Sequence, residues 1–168
     1  GKQVVEGSYL AVLLKILGTE ADKAPSLFDI ASAAAEAGLP RDAVLCCDMV
    51  LRRDGGDLRP LKLKAFCLND LGEYEEALQA FNLLQTRSSG EQNDPFTIMG
   101  RGNAALGLGR YQESTRCFDE VVRMRPDLKE ALVYKGFTLY LSGRVDEAME
   151  IEEFRSGFEA RFKSELLK

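Results

Sequence analysis

Apolar residues return at steps of three and four along most of this chain, the spacing of amphipathic helices, and glycines interrupt the runs at intervals. The pattern is plainest in residues 95–126. Ile98, Gly102 and Ala105 share one helical face, Gly109 interrupts, and Tyr111, Ser114, Phe118 and Val121 share the next. Asp94 offers an oxygen to free backbone N–H groups, Pro95 suits a first helical position, and Pro126 closes the second helix. The prediction is a helical hairpin turning at Gly109. A glycine within a helix costs roughly 1 kcal/mol relative to alanine, so Gly102 needs an offsetting contact. Close approach of the partner helix, with Gly102 facing Ser114 and Phe118, supplies one.

A single hairpin of this size cannot bury its apolar faces, and the pattern recurs. Gly136 and Gly143 lie 34 residues beyond Gly102 and Gly109, with Leu132 and Ala148 in the places of Ile98 and Ser114. Ala65, Gly72, Tyr74, Ala77 and Phe81 lie 37 residues back, and Ala31, Gly38, Ala43 and Cys47 a further 34. Four units are predicted, beginning near Ala24, Leu58, Pro95 and Lys129. A three-residue insertion falls in the spacer 86–94, whose Ser-Ser-Gly and Asn-Asp-Pro content reads as an exposed loop.

Period and residues together resemble the tetratricopeptide repeat, a 34-residue helical hairpin. The large apolar fourth place holds Leu27, Leu61, Ile98 and Leu132. The aromatic twenty-fourth place holds Phe81 and Phe118 in the middle units, but Cys47 and Glu152 in the outer ones. Tryptophan is absent, and only the third unit has a closing proline. The resemblance runs from residue 24 to about 155. It implies an all-α fold, an α-solenoid of four such hairpins (24–57, 58–91, 95–128 and 129–155).

The flanks read as helices. Residues 1–23 carry an apolar run, Tyr9 to Leu17, that is broken by Lys15, is too short to span a bilayer and lacks a cleavage site, so no membrane segment is expected. They are expected to form a helix or half-repeat docking on the first unit, or else to fill a groove in another subunit. Past Ala148 the apolar positions Ile151, Phe154, Phe158, Phe162 and Leu166 predict one long helix to the C-terminus. Its end, 156–168, is expected to cap the array, with Glu152, Glu153, Arg155, Glu159, Arg161 and Lys163 on the solvent side.

Charge and chemistry narrow the function. A net charge of -5 argues against nucleic acid as the main partner. The absence of histidine removes imidazole general bases and the usual nucleophile pairs. Cys46, Cys47, Cys67 and Cys117 have no C-x-x-C spacing, so they are expected as buried free thiols, suited to a reducing, cytoplasmic setting. Thiol chemistry at Cys46 or Cys47 would be the only residual activity. Gly100-Arg-Gly102-Asn-Ala-Ala105 matches part of a dinucleotide fingerprint, but it lies inside a predicted helix with no preceding strand. No catalytic residue, cofactor or metal is expected.

The resemblance also implies a concave wall lined by the first helix of each unit, at its second, fifth, ninth and twelfth places. Here these are Phe28, Ser32 and Ala35; Arg59, Lys62, Phe66 and Asn69; Phe96, Met99, Asn103 and Leu106; and Glu130, Val133, Phe137 and Tyr140. Phe28, Phe66, Phe96, Met99, Phe137 and Tyr140 are more apolar than a solvated face requires, which points to a bound apolar or aromatic segment. Arg59 and Lys62 would meet an acidic group on it, and Asn69 and Asn103 suit a peptide backbone. The places used by the chaperone-carboxylate clamp hold Phe28, Ser32, Leu63, Phe96 and Gly100, so that role is not expected. The expected function is a non-catalytic protein-interaction scaffold binding a peptide or helical segment. The alternatives are a self-associating homodimer, its groove filled by a neighbour's terminal helix, and an accessory domain of a larger enzyme.

Overall fold

The computed structural model describes residues 26–88 and 94–166, with side chains as far as Ala160. The helix expected over 1–23 and the middle of the 86–94 spacer lie outside the described residues. The chain divides into two compact units, 1–67 and 68–168. Every regular element among the described residues is an α-helix.

The first unit contains α1 (Leu27–Glu36), α2 (Pro40–Arg53) and most of α3 (Arg59–Asp70). Ser26, which the pattern alone did not single out, starts α1. Its hydroxyl accepts from the Asp29 N–H at 3.1 Å, and the Asp29 carboxylate accepts from the Ser26 N–H at 2.9 Å. This reciprocal cap satisfies N–H groups that the first helical turn leaves free. Pro40 occupies the first turn of α2, where it forfeits no helical hydrogen bond. Ala31, Cys46 and Cys47 form the core between α1 and α2, with Ile30 and Leu63 against them. Lys64 ties α3 to α2 through Asp48 at 2.5 Å.

The second unit holds the end of α3 followed by α4 (Tyr74–Arg87), α5 (Pro95–Gly107), α6 (Tyr111–Met124), α7 (Lys129–Leu141), α8 (Val145–Glu150) and α9 (Glu152–Leu166). Asp94 caps α5 by accepting from the Thr97 N–H at 2.8 Å. Gly109 has φ 71°, a left-handed conformation that side chains other than glycine disfavour. It lets its own N–H and that of Arg110 bond back to the carbonyls of Leu106 and Ala105, ending α5. A Cβ built on Gly102 would lie 3.0 Å from Cys117 Cβ and 3.1 Å from the Phe118 ring, so the helices approach closely there. Cys117 takes the place expected for Ser114 in that contact. The Ser114 hydroxyl instead pairs with Thr138 of α7 at 3.1 Å. Ile98, Cys117, Val121 and Ala131 join α5, α6 and α7 in one buried cluster.

The C-terminal region corrects the sequence reading. The single helix expected beyond Ala148 is broken: α8 stops at Glu150, Ile151 is extended at φ -80°, ψ 110°, and α9 begins at Glu152. No proline or glycine lies at the break; Arg155 Nη1 donates across it to the Met149 carbonyl at 3.3 Å. Glu152 occupies the place that Phe118 holds one unit earlier, and an unbroken helix would present its carboxylate to the notch beside Gly136. The break re-aims the chain, and Phe154 fills that notch, only 2% exposed. A Cβ on Gly136 would sit 2.3 Å from Phe154 Cβ.

Candidate functional site

In the first unit the predicted surface residues Phe28 and Arg59 meet each other. The Arg59 guanidinium lies 5.0 Å from the Phe28 ring centroid and bonds Asp57 at 2.7 Å. That bond holds the Asp57 carboxyl below its usual range and raises Arg59. Arg59 therefore has an acidic partner within the chain while its side chain stays 72% exposed. A two-residue separation from Asp57 was the available signal. Lys62 and Phe66 follow along α3, half-buried and each in contact within the chain.

In the second unit Asn69 is bonded to α5, the helix that carries Asn103. Asn69 donates from Nδ2 to the Gly100 carbonyl at 2.8 Å, and Gly100 lies one turn before Asn103 on α5. The bond orients the Asn69 amide so that Oδ1 is its remaining acceptor. Asn69 Oδ1 and Asn103 Oδ1 are both buried without a hydrogen-bond partner. Such an orphaned acceptor costs about 1–3 kcal/mol. Phe96 and Met99 stand on the same face of α5 as Asn103, Phe96 being 46% exposed and Met99 half-buried.

Phe137 and Tyr140 project from α7, 45% and 36% exposed, but their inner edges are covered by α9. Phe137 packs edge-on against Phe154 at 5.3 Å, and Tyr140 meets Phe158 at 5.4 Å and Phe154 at 6.1 Å. Sequence reasoning placed Phe154 and Phe158 on a terminal helix without linking them to these two residues.

Elsewhere in this unit two neighbouring clefts of about 320 and 280 Å³ lie on α6, α7 and α8, sharing Thr115 and Arg144. None of the predicted surface residues lines them. Lys135 is matched by Asp119 at 2.6 Å and Arg144 by Glu147 at 2.5 Å, so both cations there are already neutralised.

The thiols are poorly suited to chemistry. Cys46, Cys47, Cys67 and Cys117 are free and buried. Burial pushes Cys47 up to about 12 and raises Cys46 and Cys117 as well, which keeps these three protonated near neutral pH. A thiol acts as nucleophile or metal ligand only as the thiolate. Among the described residues no group of three or more His, Cys, Asp or Glu side chains is placed to hold a metal ion. Among the same residues no helix is long and apolar enough to cross a membrane.

Successive helical hairpins turning at left-handed glycines and packed through small residues define a helical-repeat protein. The tetratricopeptide-repeat family model matches residues 99–153. Superkiller complex protein 3 of Mus musculus is 29% identical over 107 residues, which is 58% of this chain but only 7% of that much longer protein. The crystal structure of MamA shares the fold at TM-score 0.69 and 16% identity, covering 97% of this chain and 94% of that one. So does TTC0263, a thermophilic tetratricopeptide-repeat protein of Thermus thermophilus, at TM-score 0.60 and 16% identity over 76% and 73% of the two chains. The chain thus carries a tetratricopeptide-repeat match over residues 99–153 and has the all-α, solenoid-class fold of the tetratricopeptide-repeat structures it resembles.

Proposed function

We propose that this chain is a non-catalytic scaffold that holds a peptide or helical segment of a partner protein against the first helices of its repeats, in the cytoplasm. The observation that carries the reading is the pair of unpartnered oxygens on Asn69 and Asn103, the latter on the same face of α5 as the exposed Phe96. Acceptors of this kind are matched by N–H donors, which a peptide backbone supplies at regular intervals. A carboxylate, which needs donors, is not matched by them. Phe96 and Met99 supply apolar contact for an aromatic or aliphatic residue of the same segment. Phe137 and Tyr140 keep enough exposed edge to join that contact, while Phe28, Arg59, Lys62 and Phe66 offer a separate aromatic and basic surface in the first unit.

A displayed peptide library selected on the whole chain, followed by titration calorimetry, tests this. Asn103→Leu removes one acceptor and is expected to weaken the selected peptides by about 1–3 kcal/mol. Stability should hold or rise, because an unsatisfied buried oxygen is lost. Phe96→Ala is expected to weaken binding as well. Selected peptides that bind both variants as tightly as wild type would place the partner surface elsewhere.

A further inference from the structure

We propose that α9 is an exchangeable arm: it can leave its own Gly136 notch by straightening at Ile151 and seat Phe154 and Phe158 on α7 of a second copy of this chain. The inference does not rest on the peptide-binding reading, since it concerns how copies of the chain pair.

The argument begins at the break. Residues 144–156 contain neither glycine nor proline, and Glu150, Ile151, Glu152 and Glu153 can all be accommodated in a helix. Only one residue, Ile151, departs from helical geometry, chiefly through its ψ of 110°. Local preference therefore favours one helix across residues 145–166, while the seating of Phe154 beside Gly136 favours two. A single extended residue between two helices, spanned locally by one exposed bond from Arg155 to the Met149 carbonyl, is a hinge, and exchange of such an element between identical chains is a low-cost route to a dimer. The exchanged form keeps the ring contacts of the bent form, Phe137 with Phe154, Tyr140 with Phe158 and Phe154 in the glycine notch, and gives up the Arg155 bond to the Met149 carbonyl that spans the break. It also gains helical continuity through Ile151. Opposing this, straightening places Glu150 and Glu153 three apart in one helix, where like charges repel. Salt screens that repulsion, so exchange should increase with ionic strength.

The test uses two single variants of the whole chain, Tyr140→Cys and Phe158→Cys, refolded together at high concentration and treated with a short bismaleimide. The native thiols are buried. Exchange predicts a covalent pair of chains joined between 140 and 158, identified by peptide mass spectrometry and more abundant at high salt. Glu152→Pro is the locking variant: proline suits the first position of α9 and follows an extended residue, but it cannot sit within a straightened helix. Placed in both chains, it should reduce the crosslink at least tenfold. The double variant Tyr140→Cys/Phe158→Cys, with and without Glu152→Pro, is the control, since its internal crosslink at low concentration reports that α9 is folded onto α7. Internal crosslinking without any interchain product would overturn the proposal, as would an interchain product unaffected by Glu152→Pro.

Discussion

The third and fourth hairpins of this chain solve the same packing problem with different covalent means. Each first helix carries a buried glycine, Gly102 in α5 and Gly136 in α7, and each notch receives a phenylalanine. In the third hairpin the ring comes from Phe118, in the middle of an unbroken α6. In the fourth it comes from Phe154, two residues later in register, and the helix breaks at Ile151 to deliver it. The fit is also tighter: the nearest atom to an added Cβ is at 3.0 Å for Gly102 but 2.3 Å for Gly136. The comparison teaches that filling the notch outranks keeping a helix continuous. Hydrophobic burial of a phenylalanine stabilises by about 1.5–3 kcal/mol, enough to offset the one or two helical hydrogen bonds, about 0.5–1.5 kcal/mol each, disturbed at a single extended residue.

The largest expected effect separates the two rings. Phe118→Ala should cost about 3–5 kcal/mol in a urea unfolding experiment, since Phe118 is fully buried between α5 and α6 and stacks on Tyr134 of α7 at 5.7 Å. Phe154→Ala should cost less and be more local, because α9 can detach without opening another layer. Amide exchange confined to α9 is the expected signature. A loss from Phe154→Ala as large and as global as that from Phe118→Ala would break the comparison.

The glycines give the next effect. Gly136→Ala is expected to destabilise by about 1–3 kcal/mol through overpacking, with α9 displaced, because the crowding atoms are the Cβ and Cγ of Phe154 and cannot move without their helix. Gly102→Ala gains about 1 kcal/mol of helix preference against a shift of a few tenths of an ångström, so its net change should lie within about 1 kcal/mol of zero. Thermal melts of the two variants side by side decide the point. Equal destabilisation would mean that the difference in fit has no energetic weight.

These contrasts also mark where the sequence was readable. The turns were legible because a helix that reverses at once needs a residue tolerant of positive φ, and Gly38, Gly72, Gly109 and Gly143 all have it. The facing of Gly102 and Phe118 was legible from helical spacing alone. The break at Ile151 was not, because no glycine or proline marks it, and the contacts that accompany it, Phe154 against Gly136 and Arg155 on the Met149 carbonyl, depend on where side chains reach. At the candidate surface, the apolar excess on the first helices could be read from residue type. The contact of Arg59 with Phe28, the half-used amide of Asn69 and the covering of Tyr140 by Phe158 could not, since each depends on where a side chain ends rather than where it begins.

The smallest expected effect concerns how the two second helices end. Beyond α6 the chain is clipped by Arg125, whose Nε and Nη2 bond the Asp127 carboxylate at 2.9 and 2.7 Å, whereas α8 ends at Ile151. The Arg125 hydrogen bonds lower Asp127 from 3.8 to about 2. A carboxyl whose pKa is lower folded than unfolded adds stability above the unfolded value and loses it as pH falls through the folded one. The clip should therefore act fully above about pH 4 and fade as pH falls towards about 2. Both partners are exposed, so solvent screening keeps the effect small. Melting temperatures measured through that window should fall slightly more for wild type than for Asp127→Asn, which lacks the titrating group. Glu147, also lowered by its bond to Arg144, contributes to both curves and drops out of their difference. Identical acid profiles for the two proteins would mean that the junction after the third hairpin is held, like the fourth, by apolar seating alone.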